Sequence, residues 1–119
     1  MAEEVYWMLE LNVQAGQEEA VPELVGEMVG STRENEPGAL DYKYSFSADG
    51  KACHIFERYA DSDAALAHLA TFGQRFAGRF LEVFAPTRFV VYGSPNGQVK
   101  DALAAFNPTY MDPGPGFRR

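Results

Sequence analysis

The sequence predicts an α+β fold of the split βαβ, ferredoxin-like kind, with the order βαββαβ and a four-stranded antiparallel sheet carrying its helices on one face. Three observations point there. Val5 to Val13 alternates strictly, two further strand-like runs are joined by an Asp-Gly turn, and a helical stripe of apolar residues separates each outer strand from that hairpin.

In the first run, Val5, Trp7, Leu9, Leu11 and Val13 share one face while Tyr6, Met8, Glu10 and Asn12 share the other. Gly16 breaks the strand. Val21, Leu24, Val25, Met28 and Thr32 then recur at helical spacing among glutamates that crowd the N-terminal half, where the helix dipole favours them. Pro22 fits a first helical turn, whose amides have no intrahelical partner to lose. NEPG, Asn35 to Gly38, reads as a stop and a turn. LDYKYSFS from Leu40 and ACHIFERY from Ala52 are antiparallel strands joined through Ala48, Asp49 and Gly50.

Asp61 or Ser62 caps a second helix holding Ala65, His68, Leu69 and Phe72, Gly73 permits a bend, and Phe76, Phe80, Val83 and Phe84 continue its apolar stripe up to Pro86. Thr87 to Gly93 is a fourth strand, and Gln98 to Phe106 one more short helix. NPTYMDPGPGFRR, from Asn107 to Arg119, is rich in proline and glycine and reads as an extended tail without regular structure, leaving residues 1–106 as a single domain. Tyr110, Met111 and Phe117 are apolar anchors in that tail, which suggests docking across a dimer or over a pocket mouth.

With 119 residues, 46% of them apolar, one core is expected. The formal charge of -7, with ten scattered basic residues, disfavours nucleic acid, since backbone binding needs clustered Lys and Arg. No signal-like leader or spanning apolar run is visible, so a cytoplasmic protein with no membrane partner is the expectation. Cys53 has no second cysteine to pair with, and His54 and His68 add too few soft ligands for structural zinc. No metal is expected.

The sheet faces carry information on assembly. If Val5, Trp7, Leu9, Leu11, Ile55, Tyr59, Phe89 and Val91 face the helices, the opposite face still presents Tyr6, Met8, Phe56, Val90 and Tyr92. That second face is apolar enough to predict a homodimer packed sheet against sheet.

His68 is the sharpest chemical candidate, because a neutral imidazole near pH 7 can take a proton from a phenol, quinol or α-carbon. The bland alternative is a packed histidine whose ring is satisfied by a backbone carbonyl. Tyr59, on the face of Ile55, either donates its hydroxyl to a substrate oxygen or is a core tyrosine. Trp7, Tyr44, Phe72 and Phe76 either line an aromatic cavity for a flat substrate or simply fill the core. Asn12 either orients a carbonyl from its strand end or only terminates the strand. Glu57, if buried beside His68, would hold that ring's tautomer. Arg75 and Arg79, one helical turn apart, either bind an anion or pair with nearby carboxylates on a solvated face.

Three segments, ELNVQAGQEEAV (Glu10 to Val21), NEPGALDYKYSFS (Asn35 to Ser47) and FERYADSDAALAHL (Phe56 to Leu69), in this order within residues 5–93, resemble the antibiotic biosynthesis monooxygenase domain of the dimeric α/β-barrel superfamily. The last segment resembles the family's strand ending in Glu-x-aromatic, acidic cap and helix with a histidine. The resemblance implies a pocket between sheet and helices, a sheet-to-sheet dimer, and a small-molecule substrate. Family members include oxygenases of quinols and anthrones that need no cofactor, heme-degrading enzymes, and an isomerase of a phosphorylated autoinducer-2 signal.

Two departures bear on activity. Tyr59 stands where oxygenase and heme-degrading members commonly place tryptophan, and Gly73 to Phe84 holds no histidine for a heme ligand, which disfavours heme degradation. The leading expectation is cofactor-independent monooxygenation of a small aromatic or quinol, with His68 as proton acceptor and Tyr59 positioning the oxygen. Isomerisation of a small phosphorylated carbonyl compound, with His68 shuttling a proton, is the alternative, and a non-catalytic binding or stress-response module is the third.

Overall fold

The computed structural model describes residues 3–119. Strand β1 (Val5–Val13) leads through a 3-10 turn (Glu18–Ala20) into α1 (Val21–Asn35), followed by β2 (Ala39–Phe46) and β3 (Ala52–Tyr59). Helix α2 (Ser62–Thr71), a π turn (Phe72–Phe76) and α3 (Ala77–Val83) form one continuous helical segment ahead of β4 (Phe84–Gly93). Helix α4 (Gly97–Leu103), a second 3-10 turn (Ala104–Phe106) and a short β5 (Thr109–Met111) complete the chain. The βαββαβ order is as the sequence predicts.

The sheet has five strands rather than four, in the order β2-β3-β1-β4-β5. The four long strands are antiparallel, and β5 runs parallel to β4, with Val90, Val91 and Tyr92 opposite Thr109, Tyr110 and Met111. The proline-rich tail was expected to lack regular structure. Between Pro108 and Pro113, however, four residues keep their amides, and the exposed edge of β4 offers three of them, Thr109 to Met111, a ladder. Further on, Arg118 Nη1 donates to Glu4 Oε2 at 2.8 Å, drawing the tail across the start of β1.

Strand β4 begins earlier than expected. Pro86 lies inside it, opposite Leu11, where the β1–β4 register shifts between Glu10 and Leu11. A proline has no amide to donate, and a bulge is where a ladder tolerates that.

The core fills the space between one sheet face and the helices. Val5, Trp7, Leu9, Leu11, Ile55 and Tyr59 are buried there against Leu24 and Met28 of α1 and Phe80 and Val83 of α3. On the other face, Tyr6 stacks on Tyr92 at 5.2 Å between ring centroids and meets Phe56 edge-on at 6.3 Å. Those three rings remain partly exposed. No helix among the described residues is long and apolar enough to cross a membrane.

Candidate active site

The helix carrying His68 is started by Asp61, whose carboxylate accepts the Ala64 amide at 2.9 Å. Seven residues on, His68 points inward and is 6% exposed. Its Nδ1 lies 2.9 Å from Glu36 Oε1, and its Nε2 lies 3.3 Å from Glu57 Oε1. Both glutamates are buried, Glu36 as the cap at the end of α1 and Glu57 in the middle of the sheet, opposite Trp7 on β1 and Tyr42 on β2.

Both imidazole nitrogens therefore face carboxylates. Burial works against charge on the ring, but the hydrogen bond to Glu36 and the negative charges of Glu57 and Glu36 outweigh it, and the His68 pKa is raised. This setting favours the charged form of the ring, with Nδ1 hydrogen-bonded to Glu36 and Nε2 in an ion-pair contact with Glu57. The carboxylates sit on opposite sides of the imidazole, an arrangement that holds a proton and does not chelate a metal ion.

Tyr59 is fully buried and donates its hydroxyl to Glu57 Oε1 at 2.5 Å. Glu57 Oε1 thus faces a phenol and the imidazolium, while no hydrogen bond from the described residues reaches Oε2. Glu36 Oε2 is buried without a partner among the described residues. Burial first, and then the charge of Glu57, push the Tyr42 and Tyr59 phenols well above their ordinary value, so both remain protonated.

A narrow cavity of about 30 Å³ opens beside this cluster. Trp7, Tyr44, Phe72 and His68 line it, together with Glu57 and Tyr42. The Tyr42 and Tyr44 hydroxyls are 2.7 Å apart, and Tyr44 donates onward to Met28 Sδ at 3.7 Å. Sulfur is a weak acceptor, so the Tyr44 proton is easily redirected to a better one.

Three sequence-derived candidates are not on the cavity wall. Asn12 is exposed, and its even-numbered position in β1 puts it on the sheet face away from the helices. Phe76 is buried in the core with the Arg75 guanidinium 4.9 Å over its ring. Tyr59 stands one step behind the wall, its hydroxyl engaged by Glu57. The arginine pair is also engaged elsewhere: Arg75 donates to Ser31 Oγ at 3.0 Å, and Arg79 makes a two-pronged pair with Glu27. Neither lines the cavity.

Sequence reasoning missed Glu36 and Tyr42. Glu36 sits within a turn signal, and nothing local marks a turn glutamate as buried. Tyr42 shares the two-residue period of Tyr44, and the alternation on β2 was the signal available for it.

A family model described as antibiotic biosynthesis monooxygenase matches residues 5–77. No curated protein matches the chain. Among solved structures, MupZ from Pseudomonas fluorescens superposes with a TM-score of 0.84 at 23% identity, covering 98% of this chain and 95% of that one. SnoaB, a cofactor-independent oxygenase from Streptomyces nogalater, gives 0.66 at 15% identity, covering 80% of this chain and 96% of its own. Rv0793 from Mycobacterium tuberculosis gives 0.65 at 23% identity, with 78% and 96% covered. At these identities the structures speak for the fold, and the family model, spanning more than half of the chain, speaks for descent. The chain belongs to the antibiotic biosynthesis monooxygenase family.

Proposed function

We propose that the protein is a cofactor-independent monooxygenase of a small aromatic, quinol-type substrate, with Glu57 as the proton acceptor and His68 positioning it. The observation that carries this reading is the buried Glu57 carboxylate, pinned through Oε1 by Tyr59 and His68 and facing an aromatic-lined cavity. His68, whose two nitrogens both face carboxylates, acts through Glu57, and the substrate proton arrives at Glu57 Oε2.

The chemistry needs only a base and an electron-rich ring. Loss of a proton from a ring methylene conjugated with a phenol gives a carbanion that reduces O2 and forms a peroxide at that carbon. Collapse of the peroxide leaves a carbonyl and releases water. The substrate supplies all four electrons, one oxygen enters the product, and Glu57 returns its proton to the departing hydroxide. Tyr44, whose proton goes to a weak sulfur acceptor, is suited to donate to the peroxide or to the ring oxygen.

A phosphorylated substrate finds no support here. No Lys or Arg lines the cavity among the described residues, and Glu57 would repel an anion. The reading includes a homodimer joined through the Tyr6, Phe56 and Tyr92 face, consistent with the aromatic surface left open there.

Oxygen uptake with a panel of naphthoquinols and anthrones tests the reading. Uptake above autoxidation is expected for the native protein, with a loss of about 10²-fold or more in Glu57→Gln, the usual worth of a positioned base. Uptake at the autoxidation rate, or equal uptake by Glu57→Gln, would overturn it.

A further inference from the structure

The inner cavity is too small for the substrate just described. About 30 Å³ holds one or two water molecules, whereas a dry cavity that accepts a benzene ring measures on the order of 150 Å³. Some part of its wall must yield. Trp7, Ile55, Phe80 and Leu103 are fully buried and backed by the core. Leu69, Phe72 and Phe106 are only partly buried.

Those three residues have a second side. An open groove of about 370 Å³ runs between α2 with its π turn and α4, and Leu69, Phe72 and Phe106 line it as well. They are therefore a wall one side chain thick between the inner cavity and the outer groove. Between its two rings the packing is widest: Phe72 and Phe106 are 6.5 Å apart between centroids and tilted 54°, while each meets a core ring edge-on, Phe80 at 5.0 Å and Phe89 at 6.0 Å. The main chain beside them departs from regular helix at both points. Phe72 opens a π turn, and Phe106 precedes Asn107, which sits at φ 53°. The rest of the groove is Leu66, Ala70, Gly73, Ala77 and Ala102, with no charged or polar side chain.

We propose that the ligand of this site is a neutral, elongated molecule with a hydroxylated ring at one end and an apolar body. The ring lies in the inner cavity against Glu57, the body lies in the groove between α2 and α4, and Leu69, Phe72 and Phe106 part to join the two. This rests on the oxygenase reading for the ring's chemistry, and adds the second compartment and the ligand class it selects. Continuity through a shared wall makes the groove part of the same site. Its lack of charge fits an uncharged chain or fused ring system and excludes a phosphate, sulfate or nucleotide moiety.

A series of 4-alkylphenols, from methyl to octyl, bound to the full chain and followed by titration calorimetry tests the proposal. Trp7 is the only tryptophan, so a change in its emission reports entry of the ring into the inner cavity. Affinity is expected to rise by up to about fourfold per methylene along the series, the worth of a buried CH2 group. In Ala102→Trp and Ala70→Trp, two exposed helix positions where an indole fills the groove, that dependence is expected to fall below about twofold per methylene. A flat dependence in the native protein, an unchanged slope in both variants, or no response of Trp7 to any phenol would overturn the proposal. Failure of the oxygenase reading looks different: the length dependence persists while oxygen uptake stays at the autoxidation rate.

Discussion

His68 Nδ1 lies 2.9 Å from Glu36 Oε1, and the two side chains, from helices 32 residues apart in the chain, are each less than a tenth exposed. A contact of that separation fixes α2 against the end of α1, and its strength depends on charge. The raised pKa of His68 means that the folded state binds the ring proton more tightly than the unfolded chain does. This contribution to stability is fully present below the unfolded histidine value near 6.5, and it is lost as pH rises through the higher folded value. Thermal unfolding from pH 6 to pH 9 is expected to show a falling Tm. Glu36→Gln flattens that fall and costs about 1 kcal/mol at pH 6, the difference between a charged and a neutral hydrogen bond. A Tm slope identical in both proteins would place the pH dependence elsewhere.

Tyr59→Phe removes one hydroxyl and leaves Glu57 Oε1 with the imidazolium alone. Because the hydroxyl is fully buried and donates at 2.5 Å to a carboxylate, the loss is expected to be about 1.5–3 kcal/mol in urea unfolding. Its effect on turnover separates positioning from substrate contact. A hydroxyl that acts through Glu57 changes kcat and its pH profile and leaves KM nearly constant, whereas a direct substrate contact would raise KM as well.

Gly38 controls how closely α2 approaches the start of β2. A Cβ there would lie 2.6 Å from the Ala64 Cβ, and the Gly38 carbonyl also accepts the Ala60 amide at 2.9 Å, so the two segments meet backbone to helix. Gly38→Ala is expected to cost about 1–3 kcal/mol, as overpacking does elsewhere, and to move α2 outward. Since α2 carries His68 and Gly38 adjoins the turn that carries Glu36, the ring's pKa falls toward its ordinary value. NMR titration of the His68 ring in Gly38→Ala checks this, and an unchanged pKa would mean that the helix absorbs the methyl without shifting.

The legibility of these features in the sequence follows from whether the cause is local. The alternation of Val5 to Val13 and the Asp49-Gly50 turn specify their own geometry, and of the two caps the sequence offers for α2, Asp61 or Ser62, the structure uses Asp61. His68 was legible as a candidate, and Glu57 as its partner on the inward face of β3. Glu36 was not, because the property that matters, burial against a helix 32 residues away, has no trace in NEPG. Strand β5 exists because β4 leaves an edge, a fact about the sheet and not about Thr109 to Met111. Asn12 was a candidate only because a strand end can lie beside a pocket, and the period of β1 already assigned it to the other face.

The aromatic face opposite the helices gives the last prediction. Tyr6, Phe56 and Tyr92 come from β1, β3 and β4, the three adjacent central strands, and the Tyr6 ring meets both of the others while all three remain partly exposed. A contiguous patch of rings at the centre of a sheet is the kind of anchor from which single side chains contribute 2 kcal/mol or more to association. Phe56→Asp puts a charge there that a sheet-to-sheet dimer would have to bury unpaired, and within the protomer it disturbs little of the core. Its dimer dissociation constant is expected to rise at least about thirtyfold, with urea unfolding at low protein concentration nearly unchanged. Sedimentation velocity of both proteins across the micromolar range decides the matter, and a native protein that sediments as a monomer throughout would remove the dimer from the proposal.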